Sequence, residues 1–167
     1  MPEADLLRTV RLRLAGPPDA AVLRDLEQTA NLAALAHVFP VDQHPFPAHA
    51  VEERWAAVLA EPAVDAWLAL GRDDQPVGFL AHDDSWVRHL AVRPDHGRAG
   101  LGAALLACGV AGVQDRGGRP RLWCLRRNER ALGFYERRGW RPTGVEREAV
   151  WPPYPVEVEL VLAGSGA

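Results

Sequence analysis

The chain is predicted to fold as a single α/β (α+β) domain with helices flanking a mixed central sheet. Three observations carry this. Segments with the alternating or β-branched pattern of strands are interspersed with segments whose apolar residues recur at helical spacing. A glycine-rich turn at residues 93–106 joins a strand to a helix near the middle of the chain. The 167 residues are 48% hydrophobic and 25% charged, enough for one domain with a sizeable core running from about 7 to 162.

The elements follow in order. Over 7–14, Val10, Leu12 and Leu14 alternate with Arg11 and Arg13, a strand with one buried face. Pro17-Pro18-Asp19 turns the chain, and Asp19 is placed to cap a helix through Leu23 and Leu26 to about Thr29. A second helical piece is read over 31–39. Residues 39–47 carry three prolines, which exclude regular structure and favour an ordered loop. A helix over 48–59 turns Val51, Trp55, Val58 and Leu59 inward. Strands are expected over 63–70 and 77–82, joined by the polar turn 71–76. Asp83-Asp84 makes the next turn, into a strand over 86–92. Beyond the glycines, Leu101, Leu105, Cys108 and Gly112 share a helical spacing. A strand over 121–125 leads to a helix capped by Asn128, with Ala131, Leu132 and Tyr135 on one face and Gly139 as its stop. Residues 156–162 form a closing antiparallel strand, and 163–167 read as a loose tail.

Arg93-Pro94-Asp95-His96-Gly97-Arg98-Ala99-Gly100-Leu101-Gly102-Ala103 looks like an anion-binding turn. Glycine lets backbone N–H groups approach a ligand with no Cβ in the way, and a helix's first turn offers unpaired donors to phosphate. A tight strand-to-helix turn packed with small residues would have the same composition. A P-loop is excluded, because it ends in Gly-Lys-Ser/Thr and the chain has no lysine. The dinucleotide fingerprint fits poorly, since Leu105 stands where its third glycine belongs.

Val92-Arg93-Pro94 with Gly100-Leu101-Gly102 resembles the core motif of the Gcn5-related N-acetyltransferase (GNAT) family. There the family's Gln/Arg falls on Gly97 and its usual second glycine on Arg98. Asn128-Glu129-Arg130-Ala131-Leu132-Gly133-Phe134-Tyr135-Glu136-Arg137-Arg138-Gly139-Trp140 resembles a second, more specific family motif, in the expected order and separation. The resemblance implies a GNAT fold: a mixed, mostly antiparallel sheet of six to seven strands flanked by about four helices. It also implies acetyl transfer from acetyl-CoA directly to a primary amine of a small molecule or peptide.

Carried over by position, the strand before the turn splays from its neighbour, and the backbone at Leu90, Ala91 and Val92 holds the pantetheine arm. His96, Gly97, Arg98, Ala99, Gly100, Leu101, Gly102 and Ala103 bind pyrophosphate, Asn128 and Ala131 meet the cofactor arm, and Tyr135 protonates the leaving sulfur. The family's glutamate base falls on Trp86. Asp84, two residues earlier, takes that role if the strand extends so far. His89 alternates to the opposite face and reads as a packed core histidine. The loop after the first helix lines the acceptor site in the family, which makes His37, Phe39, Asp42, His44 and Phe46 candidate contacts. A catalytically silent acyl-CoA-binding module is the alternative.

Charge agrees with a compact polyanion as ligand. Residues 85–147 hold 13 arginines against five acids, and the rest of the chain six against 17. The acidic remainder favours a cationic amine acceptor. Together with the lack of interleaved aromatics, it also argues against nucleic acid. Cys108 and Cys124 lack metal-type spacing and read as buried thiols, with no metal expected. No apolar run reaches membrane-spanning length and the first residues are acidic, so a cytoplasmic protein is expected. All 19 basic residues are arginine and isoleucine is absent, a coding bias that suggests a bacterial source. Either a monomer or a homodimer is compatible with the pattern.

Overall fold

The computed structural model describes residues 9–97 and 100–164. Among these lie seven strands: β1 (Arg11–Leu14), β2 (Asp65–Leu70), β3 (Pro76–His82), β4 (Val87–Val92), β5 (Arg121–Leu125), β6 (Trp140–Glu148) and β7 (Val156–Leu162). The helices are α1 (Ala20–Ala34), α2 (Ala48–Leu59), α3 (Leu101–Asp115) and α4 (Glu129–Glu136). The strands form two antiparallel sheets, ordered β1-β2-β3-β4 and β5-β7-β6. The sheets meet where Trp86 bridges Arg121 in parallel and the Arg121 amide donates to the Ser85 carbonyl at 3.1 Å. From there β4 and β5 run side by side without a ladder between them, among the described residues.

Strand alternation supplies the two cores. On β3, Phe79 faces α1 and α2 and joins Leu23, Leu26, Val51, Trp55 and Leu68. Its neighbour Leu80 faces α3 and joins Leu101, Leu105, Leu122, Trp140 and Leu160. Each such buried side chain contributes about 1.5–3 kcal/mol. The helix α3 lies so close to β3 that a Cβ at Gly112 would sit 2.3 Å from Cε1 of the buried His82. Gly112→Ala is therefore expected to destabilise the fold by about 1–3 kcal/mol through overpacking. A lowered urea midpoint at unchanged m-value checks it; an unmoved midpoint would show that α3 can lift off the sheet.

The structure corrects several expectations. The first helix does not stop near Thr29; α1 runs to Ala34, because Ala30, Leu32, Ala33 and Ala34 sustain a helix and no proline intervenes before Pro40. Asp19 does sit at the N-cap, but its carboxylate accepts from the Gly16 amide at 2.9 Å and from Arg13 at 2.8 Å, not from helix amides. The Arg13 partner holds that carboxyl below its usual range. The strand β6 had no counterpart among the expected elements: Pro142 and Gly144 interrupt it, its register shifts between Pro142 and Glu146, and every residue after Trp140 is exposed. It therefore shows no apolar alternation. The first strand begins at Arg11, and the part of it expected at Leu7 lies outside the described residues, as do 165–167. Cys124 is buried as expected, which pushes its thiol up to about 12, whereas Cys108 is only half-buried.

Candidate active site

A cavity of about 770 Å³ occupies the gap between β4 and β5. At its closed end Trp86 stacks on Trp123 at 5.8 Å, and the Arg147 guanidinium lies over Trp123 at 4.2 Å. The edge of β4 that turns away from β3 meets no strand between Val87 and Val92, among the described residues. The backbone groups of Leu90 and Val92 on that edge are thus open to a ligand, whereas Ala91 between them pairs with Phe79 on β3.

The described residues of the turn read above as anion-binding lie at the far end of β4. Residues Pro94–His96 make a single 3-10 turn, and Gly100 then takes a left-handed conformation (φ 77°) that a glycine adopts without strain. It sets up α3, whose first amides, at Leu101, Gly102 and Ala103, have no partner within the helix. A methyl group at Gly97 would lie 3.8 Å from an Arg130 guanidinium nitrogen, so a cation from α4 reaches the turn. Arg130 has no ion-pair partner among the described residues. Asp95 is neutralised locally: Arg93 donates to it at 3.1 and 3.2 Å and His96 Nδ1 at 2.9 Å, which holds its carboxyl at about 2. Donors plus a free guanidinium suit phosphate oxygens. Arg98 and Ala99 lie outside the described residues.

Asn128 caps α4 as expected, its side-chain oxygen accepting from the Ala131 amide at 3.2 Å, and both residues line the cavity. One turn later Tyr135 lines it too, packed edge-on to Phe134 at 5.2 Å and Trp140 at 5.9 Å. Burial, with Cys124 nearby, pushes the Tyr135 phenol above its ordinary value, so it stays protonated at neutral pH.

Asp84 does not join them. The strand begins at Val87, so Asp84 lies on the exposed turn before it, where its carboxylate accepts from Ser85 Oγ at 3.1 Å. The shared strand face on which its base role depended is not formed. His89, expected in the core, instead borders the cavity: stacked on Phe79 at 5.4 Å and edge-on to Trp55 at 5.6 Å, it holds Nε2 3.9 Å from Glu27 Oε2. Alternation assigned its face correctly, but α1 and α2 leave that end of the face open. Desolvation lowers the His89 pKa, which leaves the imidazole neutral at pH 7. Glu27 is only 4% exposed and accepts from Trp55 Nε1 at 2.7 Å and Arg54 at 2.5 Å. Sequence reasoning passed over it, although an acid spaced with Leu23, Leu26 and Ala30 on an apolar helix face is the signal that would have found it.

Of the expected acceptor contacts, Phe39, His44 and Phe46 line a second cavity of about 410 Å³ that adjoins the first. Asp42 is exposed and borders neither cavity. His37 straps the loop down: its Nε2 donates to the Arg127 carbonyl at 2.8 Å, and Arg127 donates to the His37 carbonyl at 3.0 Å.

Residues 64–142 match the Acetyltransferase (GNAT) domain family. The peptidyl-lysine N-acetyltransferase YjaB of Escherichia coli (strain K12) is 32% identical over 109 residues, which cover 64% of this chain and 68% of YjaB. The chain belongs to the GNAT acetyltransferase family. GNAT acetyltransferases take the acetyl group from acetyl-CoA. Solved GNAT structures share the fold at lower identity. The Gcn5-related N-acetyltransferase of Rhodopseudomonas palustris matches with a TM-score of 0.76 at 20% identity, covering 93% of this chain and 96% of that one. The PaiA N-acetyltransferase of Thermoplasma acidophilum, solved with coenzyme A, matches with 0.67 at 14%, covering 90% and 97%. The splay of β4 from β5 that the resemblance implied is present in this GNAT chain.

Proposed function

We propose that the chain, one domain over 1–167, transfers an acetyl group from acetyl-CoA directly to a primary amine of a small molecule or peptide, acting in a bacterial cytoplasm as a monomer or homodimer. The observation that carries this reading is that one cavity gathers the open edge of β4, the cap of α4, a protonated phenol and a neutral imidazole. Bound acetyl-CoA supplies a thioester and a thiolate leaving group. The amides of Leu101, Gly102 and Ala103, the turn from His96 to Gly100 with Arg98 and Ala99, and the Arg130 guanidinium hold its phosphates. The backbone at Leu90 and Val92 lines up with its arm, and Asn128 and Ala131 border the arm from the other side.

Chemically, the amine must lose a proton before it attacks. In this reading His89, in place of Asp84, takes that first proton and passes it to solvent, then takes the second as the C–N bond forms and the C–S bond breaks, while Tyr135 gives its proton to sulfur. Solvent resets both groups. Glu27, fixed by Arg54 and Trp55, borders the imidazole on the side of the incoming ammonium.

The pH dependence follows from the burial of His89, which lowers its pKa; among the facing charges Arg54 from α2 acts in the same direction, while Glu27 from α1 and Glu157 from β7 oppose it. Because the imidazole pKa lies below its ordinary value, the base is present at pH 7 and is lost as pH falls through that lowered value. The expected kcat/KM profile declines only on the acid side of about pH 6.5. His89→Gln should lower kcat by about 10²-fold and remove that limb; an unchanged profile would dismiss His89 as the base. The reading as a whole is tested by calorimetric titration with acetyl-CoA followed by thiol release against a panel of amines. Binding without release would favour the silent acyl-CoA-binding module, and absence of binding would overturn the reading.

A further inference from the structure

The second cavity says what kind of amine is accepted, given that the chain is the acetyltransferase proposed above. Its wall comes from three separate parts of the fold: Leu32 on α1, Phe39, Phe46 and Pro47 on the loop after it, and Trp151 and Pro152 between β6 and β7. Glu27, Asn31, Phe39 and Trp151 border both cavities, so the chamber opens onto the Glu27–His89 end of the catalytic cavity.

Two properties select its occupant. The first is charge. Glu27 and His44 are the titratable residues on its wall, and the Glu27 carboxylate is already engaged by Arg54 and Trp55. Among the described residues no uncompensated carboxylate lines the chamber to receive the further ammonium groups of a polyamine or an aminoglycoside, and the chamber offers mainly apolar surface in their place. The second is preorganisation. The loop is held by its prolines and by backbone bonds from His44 to Pro40 at 2.7 Å, Gln43 to Pro40 at 3.1 Å and Ala48 to Phe46 at 2.8 Å. A preformed apolar pocket binds without the cost of ordering its walls.

We propose that this chamber seats the body of the acceptor, and that the acceptor is a primary amine on a compact apolar group, aromatic or branched aliphatic. The group fills the chamber and its amine passes between Glu27 and Trp151 toward His89. This differs from the cationic acceptor that overall charge suggests, because the carboxylates bordering this opening are already paired, Glu27 with Arg54 and Glu157 with Arg147.

The test compares initial rates of thiol release from acetyl-CoA with 2-phenylethylamine, isoamylamine, a dipeptide beginning with phenylalanine, a lysine-containing peptide, spermidine and an aminoglycoside. The expected result is a kcat/KM for the apolar amines about tenfold or more above the polycations and the lysine peptide. A lead for the dipeptide supports the same seat, with a peptide end as the source of the apolar group. Leu32→Asp, at a position already 45% exposed, should raise KM for the apolar amines about tenfold and leave acetyl-CoA affinity unchanged. Val41→Asp, 52% exposed on the same wall, serves equally should the first variant fold poorly. If the lysine peptide or a polycation is the best acceptor, or if both aspartate variants leave KM unmoved, the chamber is not the seat while the acetyltransferase reading stands. If acetyl-CoA binds but no amine releases thiol, that reading fails and this inference with it.

Discussion

Tyr135→Phe is expected to lower kcat by about 10²- to 10⁴-fold, the range that a positioned general acid contributes, while acetyl-CoA affinity changes less than about threefold. The substitution removes one oxygen and keeps the ring, so the edge-on contacts with Phe134 and Trp140 and the packing of α4 survive. A phenol with a pKa above its ordinary value keeps its proton over the whole working range, and the phenolate left after the transfer is disfavoured by the same burial, so it is reprotonated as the cycle closes. Thiol release measures the rate and calorimetry the affinity. An unchanged kcat would take Tyr135 out of the acid role, and a large loss of affinity would make it a binding residue instead.

Gly100→Glu is expected to weaken acetyl-CoA binding by at least about 100-fold. Two costs coincide at this position. A left-handed conformation is unfavourable for glutamate by about 1–2 kcal/mol, and a carboxylate at the start of α3 would sit against the phosphates that the first amides are proposed to hold. Gly100→Asn separates the two, because asparagine tolerates the left-handed region and carries no charge. It should keep affinity within about tenfold of the parent. Retained affinity in the glutamate variant would displace the phosphates from this turn. Equal losses in both variants would reduce the effect to backbone strain.

Much of the local structure around the proposed acetyl-CoA site could be read from residue order, because a short stretch with strong local rules specifies it. A strand ending at Val92, a glycine required at Gly100 and a side-chain cap at Asn128 are each decided within a few residues. The proposed catalytic end is different. Glu27 and His89 are 62 positions apart, Glu27 being on a helix and His89 on a strand, and no periodicity links them. Alternation put His89 on the correct face of β4 but could not tell that α1 and α2 stop short of covering it. Asp84 failed for the complementary reason: it was placed by extending a strand that the structure begins three residues later, at Val87. The strand β6 was illegible because exposure on both faces removes the alternation by which a strand is recognised.

The order β5-β7-β6 has a bearing on how the chain is made. Its middle strand is the last of the three in sequence, so β5 and β6 each wait for β7 before their ladders can form. Hairpin partners β2, β3 and β4 are consecutive and can pair while synthesis continues. Until β7 emerges, the nascent chain carries a formed β2–β4 meander beside two unpaired strand edges, Arg121–Leu125 and Trp140–Glu148, which is the interval in which a chaperone would be of use. Acetylation competence is then a post-translational event: Leu125, Asn128 and Tyr135 take their places only when the final ladder closes.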